Sequence, residues 1–220
     1  MAARTSVFRE PKSPAIPATL AAAGIAETEL ADDGVYLSLR YGAVPITGAE
    51  DVEFERCRFE GTGLAGVTLH RAGFADVAFD GCDLANARMF TSRMFSTAVR
   101  TCRMTGLHLA EAGLRDVLFD GCRADLASFR FAHLRDVVFR DCNLSEANFQ
   151  KAELTRVRFE RCRLAGTQFS GAAMKDARFT GCDLSGVGGI RSFDGATVGT
   201  ADARTLLDAL AAEAGITIAD

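Results

Sequence analysis

Residues 137–186 divide into fives without remainder: VVFRD CNLSE ANFQK AELTR VRFER CRLAG TQFSG AAMKD ARFTG CDLSG. The third residue of each five is Phe, Leu or Met, and the first is Val, Cys, Ala or Thr. The same alternation runs back to Asp51, so that every fifth residue from Phe54 to Leu184 is apolar and only Ala124 among them is small. Neither an amphipathic helix nor a continuous strand has period five. The chain is therefore an internal repeat, and its fold follows from the geometry of one unit.

Side chains two apart point to the same side of an extended segment. The small residue and the large centre of each unit can both point inward, leaving three positions for the surface and a bend. Cys82, Cys102, Cys122, Cys142, Cys162 and Cys182 recur every 20 residues, as do Phe119, Phe139, Phe159 and Phe179. Four units per coil bring like residues into register, so the coil has four sides. With rungs about 4.8 Å apart, residues 51–187 give about seven coils and a rod roughly 32 Å long.

The sides differ. The first carries Phe59, Phe79, Val99, Phe119, Phe139, Phe159 and Phe179; the second carries the cysteines with Leu84, Met104, Ala124, Leu144, Leu164 and Leu184. The third runs from Leu69, Met89 and Leu109 to Phe129, Phe149 and Phe169, and the fourth is mostly Leu and Met over alanines. From about residue 129 the two Phe sides face each other across the axis. Gly61, Gly81, Gly121 and Gly181 fall at unit ends, where a bend of positive φ is cheapest.

Units such as Cys142-Asn143-Leu144-Ser145-Glu146, Ala147-Asn148-Phe149-Gln150-Lys151 and Cys182-Asp183-Leu184-Ser185-Gly186 resemble the pentapeptide-repeat motif, A-(D/N)-L-x-x. The resemblance covers about 136 of the 220 residues. It implies an all-β solenoid, a right-handed four-sided β-helix, with a C-terminal capping helix that can build a dimer. It also implies a DNA-mimic reading, in which an acidic rod modulates DNA gyrase or topoisomerase in quinolone resistance or toxin immunity. The Asp or Asn before the centre is sparse here, limited to Asp83, Asn143, Asn148 and Asp183, and Arg often stands there instead.

Four segments are expected: a flexible N-terminal arm (1–33), an irregular N-terminal cap (34–50), the β-helix (51–187), and a C-terminal loop, helix and short strand (188–220). The arm is Pro- and Ala-rich, with one helical turn near Ala18–Ala23. In the cap, Val35, Leu37 and Leu39 share a face. All four prolines lie at or before Pro45, because a rung-bonded coil cannot spare an N–H. Thr200 to Ala214 reads as a helix with Thr200 as N-cap and Gly215 as its end, followed by a strand at Ile216–Ile218. Leu206, Leu207, Leu210, Ile216 and Ile218 are the candidate homodimer contacts; covering the rod's last coil is the alternative use of the helix.

All seven cysteines occupy the small inward position, which suits free thiols used as small hydrophobes in a reducing compartment. Their linear spacing makes no tetrahedral metal site. No apolar run reaches the ~20 residues of a membrane span. These features imply a cytoplasmic protein with no cofactor, no metal and no membrane.

The chain carries no P-loop, G-x-G-x-x-G or G-x-S-x-G sequence. Its three histidines, His70, His108 and His133, fall at outward positions on different coils. No catalytic residue is assigned, and the chain reads as a non-enzyme. Residues 51–187 hold 19 Lys and Arg against 18 Asp and Glu, and the whole chain has a net charge of −4. A duplex mimic needs dense negative charge, and direct nucleic-acid binding needs a basic stripe; neither is present. The preferred reading is a rigid rod that binds a protein partner, with gyrase modulation as the alternative. Candidate contacts are the outward apolar residues Phe90, Phe95, Leu126 and Phe131; the alternatives are a local shift of register that buries Phe90 and Phe95 in place of Met89 and Met94, and a Leu126 folded back over the small Ala124. Leu118 and Val138 form a further outward apolar stack.

Overall fold

The computed structural model of the chain describes residues 8–218. From Asp51 to Gly186 it winds as a four-sided parallel β-solenoid in which each residue lies beside the one 20 positions on. Arg93–Arg100, Gly113–Asp120 and His133–Arg140 lie side by side, with Val99 next to Phe119 and Phe119 next to Phe139. The centres and the small residues two positions before them fill the interior. Phe119 and Phe139 stack at 4.7 Å and Phe129 and Phe149 at 4.7 Å, both with rings within 5° of parallel. The first and third sides meet edge to face, as in Phe149 against Phe159 at 5.7 Å and 89°. Ladders of offset rings with perpendicular neighbours satisfy the aromatic quadrupoles while keeping each layer dense.

The fifth residue of every unit from Asp51 to Gly186 has positive φ, whether or not it is glycine. At the corners around Glu146 and Lys151, the next N–H closes a turn on the preceding centre: Ala147 N–H donates to Leu144 C=O at 3.0 Å, and Ala152 to Phe149 at 3.1 Å. With a left-handed third residue this is the shape of a type II turn. The four Asp and Asn residues before a centre help hold it. Asp83, Asn143, Asn148 and Asp183 each accept the N–H two residues on, at 2.9–3.1 Å.

The rod has about nine turns rather than seven. Tyr36 stacks on Phe54 at 5.3 Å and Tyr41 on Phe59 at 4.4 Å, adding a coil at the N-terminal end. At the other end Phe193 lies on Phe179 at 5.1 Å, and Val198 pairs in register with Phe179. The strand pairings at the two ends are offset by 18 and 19 residues, so a strict 20-residue period passes over them. Tyr36 points inward while Val35 and Leu37 are exposed, and Leu39 is half-buried against the core.

The C-terminal segment departs from the single expected helix. Thr200–Ala203 is helical, Arg204–Leu206 is a 3-10 turn, and Leu207–Glu213 is a second helix. The N-cap of the first is Gly199, not Thr200. The Thr205 hydroxyl accepts the Leu184 N–H at 3.0 Å and donates to the Asp202 carbonyl at 2.7 Å, tying the break to the last coil. Gly215, at φ 70°, follows the helix, and residues 216–218 form no strand.

Candidate protein-interaction surfaces

The four outward apolar residues singled out by sequence do not form one patch. Phe90 is half-buried with its ring 5.5 Å from His108, at the corner between the third and fourth sides. Phe95 is 40% exposed on the far edge of the fourth side, with the Arg115 guanidinium 5.6 Å from its ring centre. Leu126 and Phe131 belong to one rung and stand at the two ends of the third side, 56% and 39% exposed. Arg130 and Lys151 lie 5.5 and 5.4 Å from the Phe131 ring, within cation–π range. Both residues are left-handed, with φ of 61° and 57°. A bulky side chain is disfavoured there by roughly 1–2 kcal/mol.

At the C-terminal end Leu206 is buried against the rod, so it serves the cap rather than a free face. Leu207, Leu210, Ile216 and Ile218 are exposed.

The N-terminal arm is laid lengthwise on the rod. Phe8 lies under the Arg178 guanidinium at 4.3 Å. Glu10 accepts from Arg158 at 2.6 Å and from Arg140 at 3.0 Å, which holds its carboxyl below the usual range. Arg9 pairs with Asp116 at 2.7 Å, and the N–H groups of Lys12 and Ala15 donate to Asp116 and Asp76 at 3.4 and 2.9 Å. Ala21–Ala22 then pairs with Leu39–Tyr41 and begins the first side. Beneath this path the outward residues Ala78, Ala98 and Val138 are buried, and Leu118 is half-buried. Among the described residues, Ser96, Asp116 and Asp136 are the buried corner positions. The outward Leu118–Val138 stack was the sequence's signal for a covered face. A second signal, Pro11-x-x-Pro14-x-x-Pro17, has the threefold period of polyproline II.

Elsewhere the surface alternates in sign from rung to rung. Arg71 donates to Asp51 at 2.7 Å, Arg156 to Asp136 at 2.6 Å and Arg161 to Asp141 at 2.7 Å. In each pair the guanidinium hydrogen bond holds the carboxyl below its ordinary value. The histidines sit among surface charges and rings. Arg71 donates to His70 at 2.9 Å, and His133 lies 3.0 Å from Glu153. All seven cysteines are buried and unbridged. Those of the 20-residue column donate to carbonyls of the preceding rung, as Cys142 does to Phe119 at 3.5 Å. No group of His, Cys, Asp and Glu among the described residues has metal-binding geometry, and no helix among them is long and apolar enough to cross a membrane.

A coil of five-residue units with apolar centres and left-handed corners defines a class of non-globular repeat proteins. The chain belongs to the pentapeptide-repeat family: a pentapeptide repeat region model matches residues 50–125 and 92–169, and a second model, for pentapeptide repeats in 8 copies, matches residues 152–187. No curated protein matches the chain in sequence. Among solved structures it is similar to trypsin-treated QnrB1, a plasmid-mediated fluoroquinolone resistance protein, at 23% identity and TM-score 0.40, over 84% of this chain and 99% of that one. It is also similar to HetL, a pentapeptide repeat protein involved in heterocyst differentiation regulation from the cyanobacterium Nostoc sp. strain PCC 7120. That match has 17% identity and TM-score 0.38, over 76% of this chain and 87% of HetL.

Proposed function

We propose that the chain is a non-enzymatic, cytoplasmic rod that binds a protein partner through the apolar corners Leu126 and Phe131 of one rung, with Phe90 and Phe95 as outlying contacts. The observation that supports this is the occupancy of two left-handed, solvent-facing corners by Leu and Phe. Glycine or asparagine would make the same bend at lower cost. Exposed apolar side chains that also strain the backbone return little of that cost to the rod, and such groups mark contact sites. A rigid scaffold loses little ordering entropy when it presents them.

The alternative, gyrase modulation by DNA mimicry, draws on the family resemblance. The rung-to-rung pairing of acids with arginines works against it, because paired carboxylates do not reproduce a phosphate backbone. The test is an affinity capture from native lysate repeated with Leu126→Asp/Phe131→Asp, beside a gyrase supercoiling assay. The expected partner stays bound at high salt and is lost from the variant while the rod remains folded. Gyrase inhibition or protection at micromolar protein that survives both substitutions overturns the proposal.

A further inference from the structure

We propose that the first side of the rod is a binding track for polyproline II peptides. The chain's own arm is its resident occupant, and an Arg-x-Pro-x-x-Pro segment of a partner protein is the ligand that replaces it. The track lies on a different side from Leu126 and Phe131, so it stands or falls independently of that surface.

Three observations carry the inference. The first is period. Phe8, Pro11 and Pro14 are half-buried while the residues between them are exposed. Over residues 8–14 one face in three therefore meets the rod, as a threefold helix requires, and the pattern ends there, with Ile16 half-buried and Pro17 exposed. Proline on that face has no N–H to leave unsatisfied.

The second is length. Lys12 and Ala15 are anchored by Asp116 and Asp76, two coils apart. Three polyproline II residues rise about 9.3 Å, and two rungs span about 9.6 Å. The arm and the solenoid are thus commensurate over this stretch, where one peptide repeat leads from one corner aspartate to another two coils away.

The third is polarity. One edge of the track carries the corner carboxylates Asp76, Asp116 and Asp136 and the other carries Arg140, while Arg158 continues the floor row one coil beyond Val138. Asp116 is fully buried, its Oδ1 bonded to Arg9 and Lys12 and its Oδ2 without a hydrogen-bond partner among the described residues. Arg9 faces the aspartate edge, and Glu10 faces Arg140 on the other edge and Arg158 at the end of the floor, so each meets its opposite charge. The floor between the edges is Ala98, Leu118 and Val138. A ligand that fits needs a basic residue toward the aspartates and prolines on the floor. The arm's Arg9-Glu10-Pro11-Lys12-Ser13-Pro14 meets both needs.

The experiment uses a fluorescent peptide of residues 8–20, FREPKSPAIPATL. It is titrated with the full-length wild-type chain and with full-length Arg9→Glu/Pro11→Gly/Pro14→Gly, whose own arm is weakened. A tethered arm competes at an effective concentration on the order of millimolar, so the wild type is expected to bind the free peptide at least about tenfold more weakly than the variant. A peptide with all three prolines changed to glycine is expected to lose about tenfold. Absence of saturable binding to a variant that melts like wild type overturns the proposal, as does equal binding of the proline-free peptide. Hydrogen exchange on the wild type gives a second reading that needs no variant. Excess peptide is expected to speed exchange of the Lys12 and Ala15 amides, and unchanged exchange at millimolar peptide rejects the track.

Discussion

Leu126 and Phe131 close consecutive corners of one coil, and both do so in the left-handed conformation, at φ 61° and 57°. Leu126 is 56% exposed, so its packing returns little of that strain. Leu126→Gly is expected to raise stability by roughly 0.5–1 kcal/mol, the reverse of the usual penalty for glycine, because the native φ already suits it. Denaturant midpoints decide the matter; a loss of more than about 1 kcal/mol would mean that Leu126 is a packing residue.

The ring ladders set the core energetics. Phe149→Ala or Phe159→Ala should cost about 3–5 kcal/mol, as buried aromatic truncations do. Arg158, an outward position by sequence, is no exposed control, since its side chain is largely covered and holds Glu10 and Glu160. Arg163, 66% exposed, is the better control. Arg163→Ala is expected to cost under about 0.5 kcal/mol, and equal effects from both classes would misplace the inward face.

Asp136 predicts an acid limb. Its carboxyl is held low, first by the Arg156 hydrogen bond. A group whose folded pKa is depressed contributes fully above its unfolded value, near 3.9, and loses that contribution as pH falls through the folded value. Stability should therefore be flat around neutrality and drop below about pH 4. Asp136→Asn is expected to shrink that drop. An unchanged pH profile of the urea midpoint would place the acid sensitivity elsewhere.

The thiols should be silent in the folded chain. Burial pushes the Cys57 thiol up, and the column cysteines are enclosed on every side. Maleimide labelling is expected to be slow in buffer and complete in denaturant. Fast native labelling of Cys102 or Cys142 would contradict the packing.

Self-association is a proposal for the C-terminal end. Leu207, Leu210, Ile216 and Ile218 form an exposed apolar group that a C2 dimer would bury. Sedimentation at tens of micromolar should show a dimer that Leu207→Glu/Leu210→Glu converts to a monomer. Leu206→Ala, by contrast, should destabilise the cap without changing the mass. A monomeric wild type ends the dimer proposal.

The five-residue period by itself determined the four sides, the stacking of Phe119 through Phe179, the inward cysteines and the proline-free coil. Each unit touches only its neighbours, so a local pattern repeated 20 residues apart carries the full instruction. The sequence also marked Leu126 and Phe131 as outward and, one unit apart, as neighbours on one coil, but not that every corner is left-handed. Only the tertiary structure decided the register of the end rungs, the broken C-terminal helix and the place of the arm. The Tyr36 and Tyr41 rung is out of step at 18 residues, and Leu206 turns inward because Thr205 is held by the last coil. The arm's partners along the first side lie 61 to 170 positions away, from Asp76 to Arg178. A proline every third residue has no local partner that reveals its function, and it acquires one only when a rod of matching pitch is laid beside it.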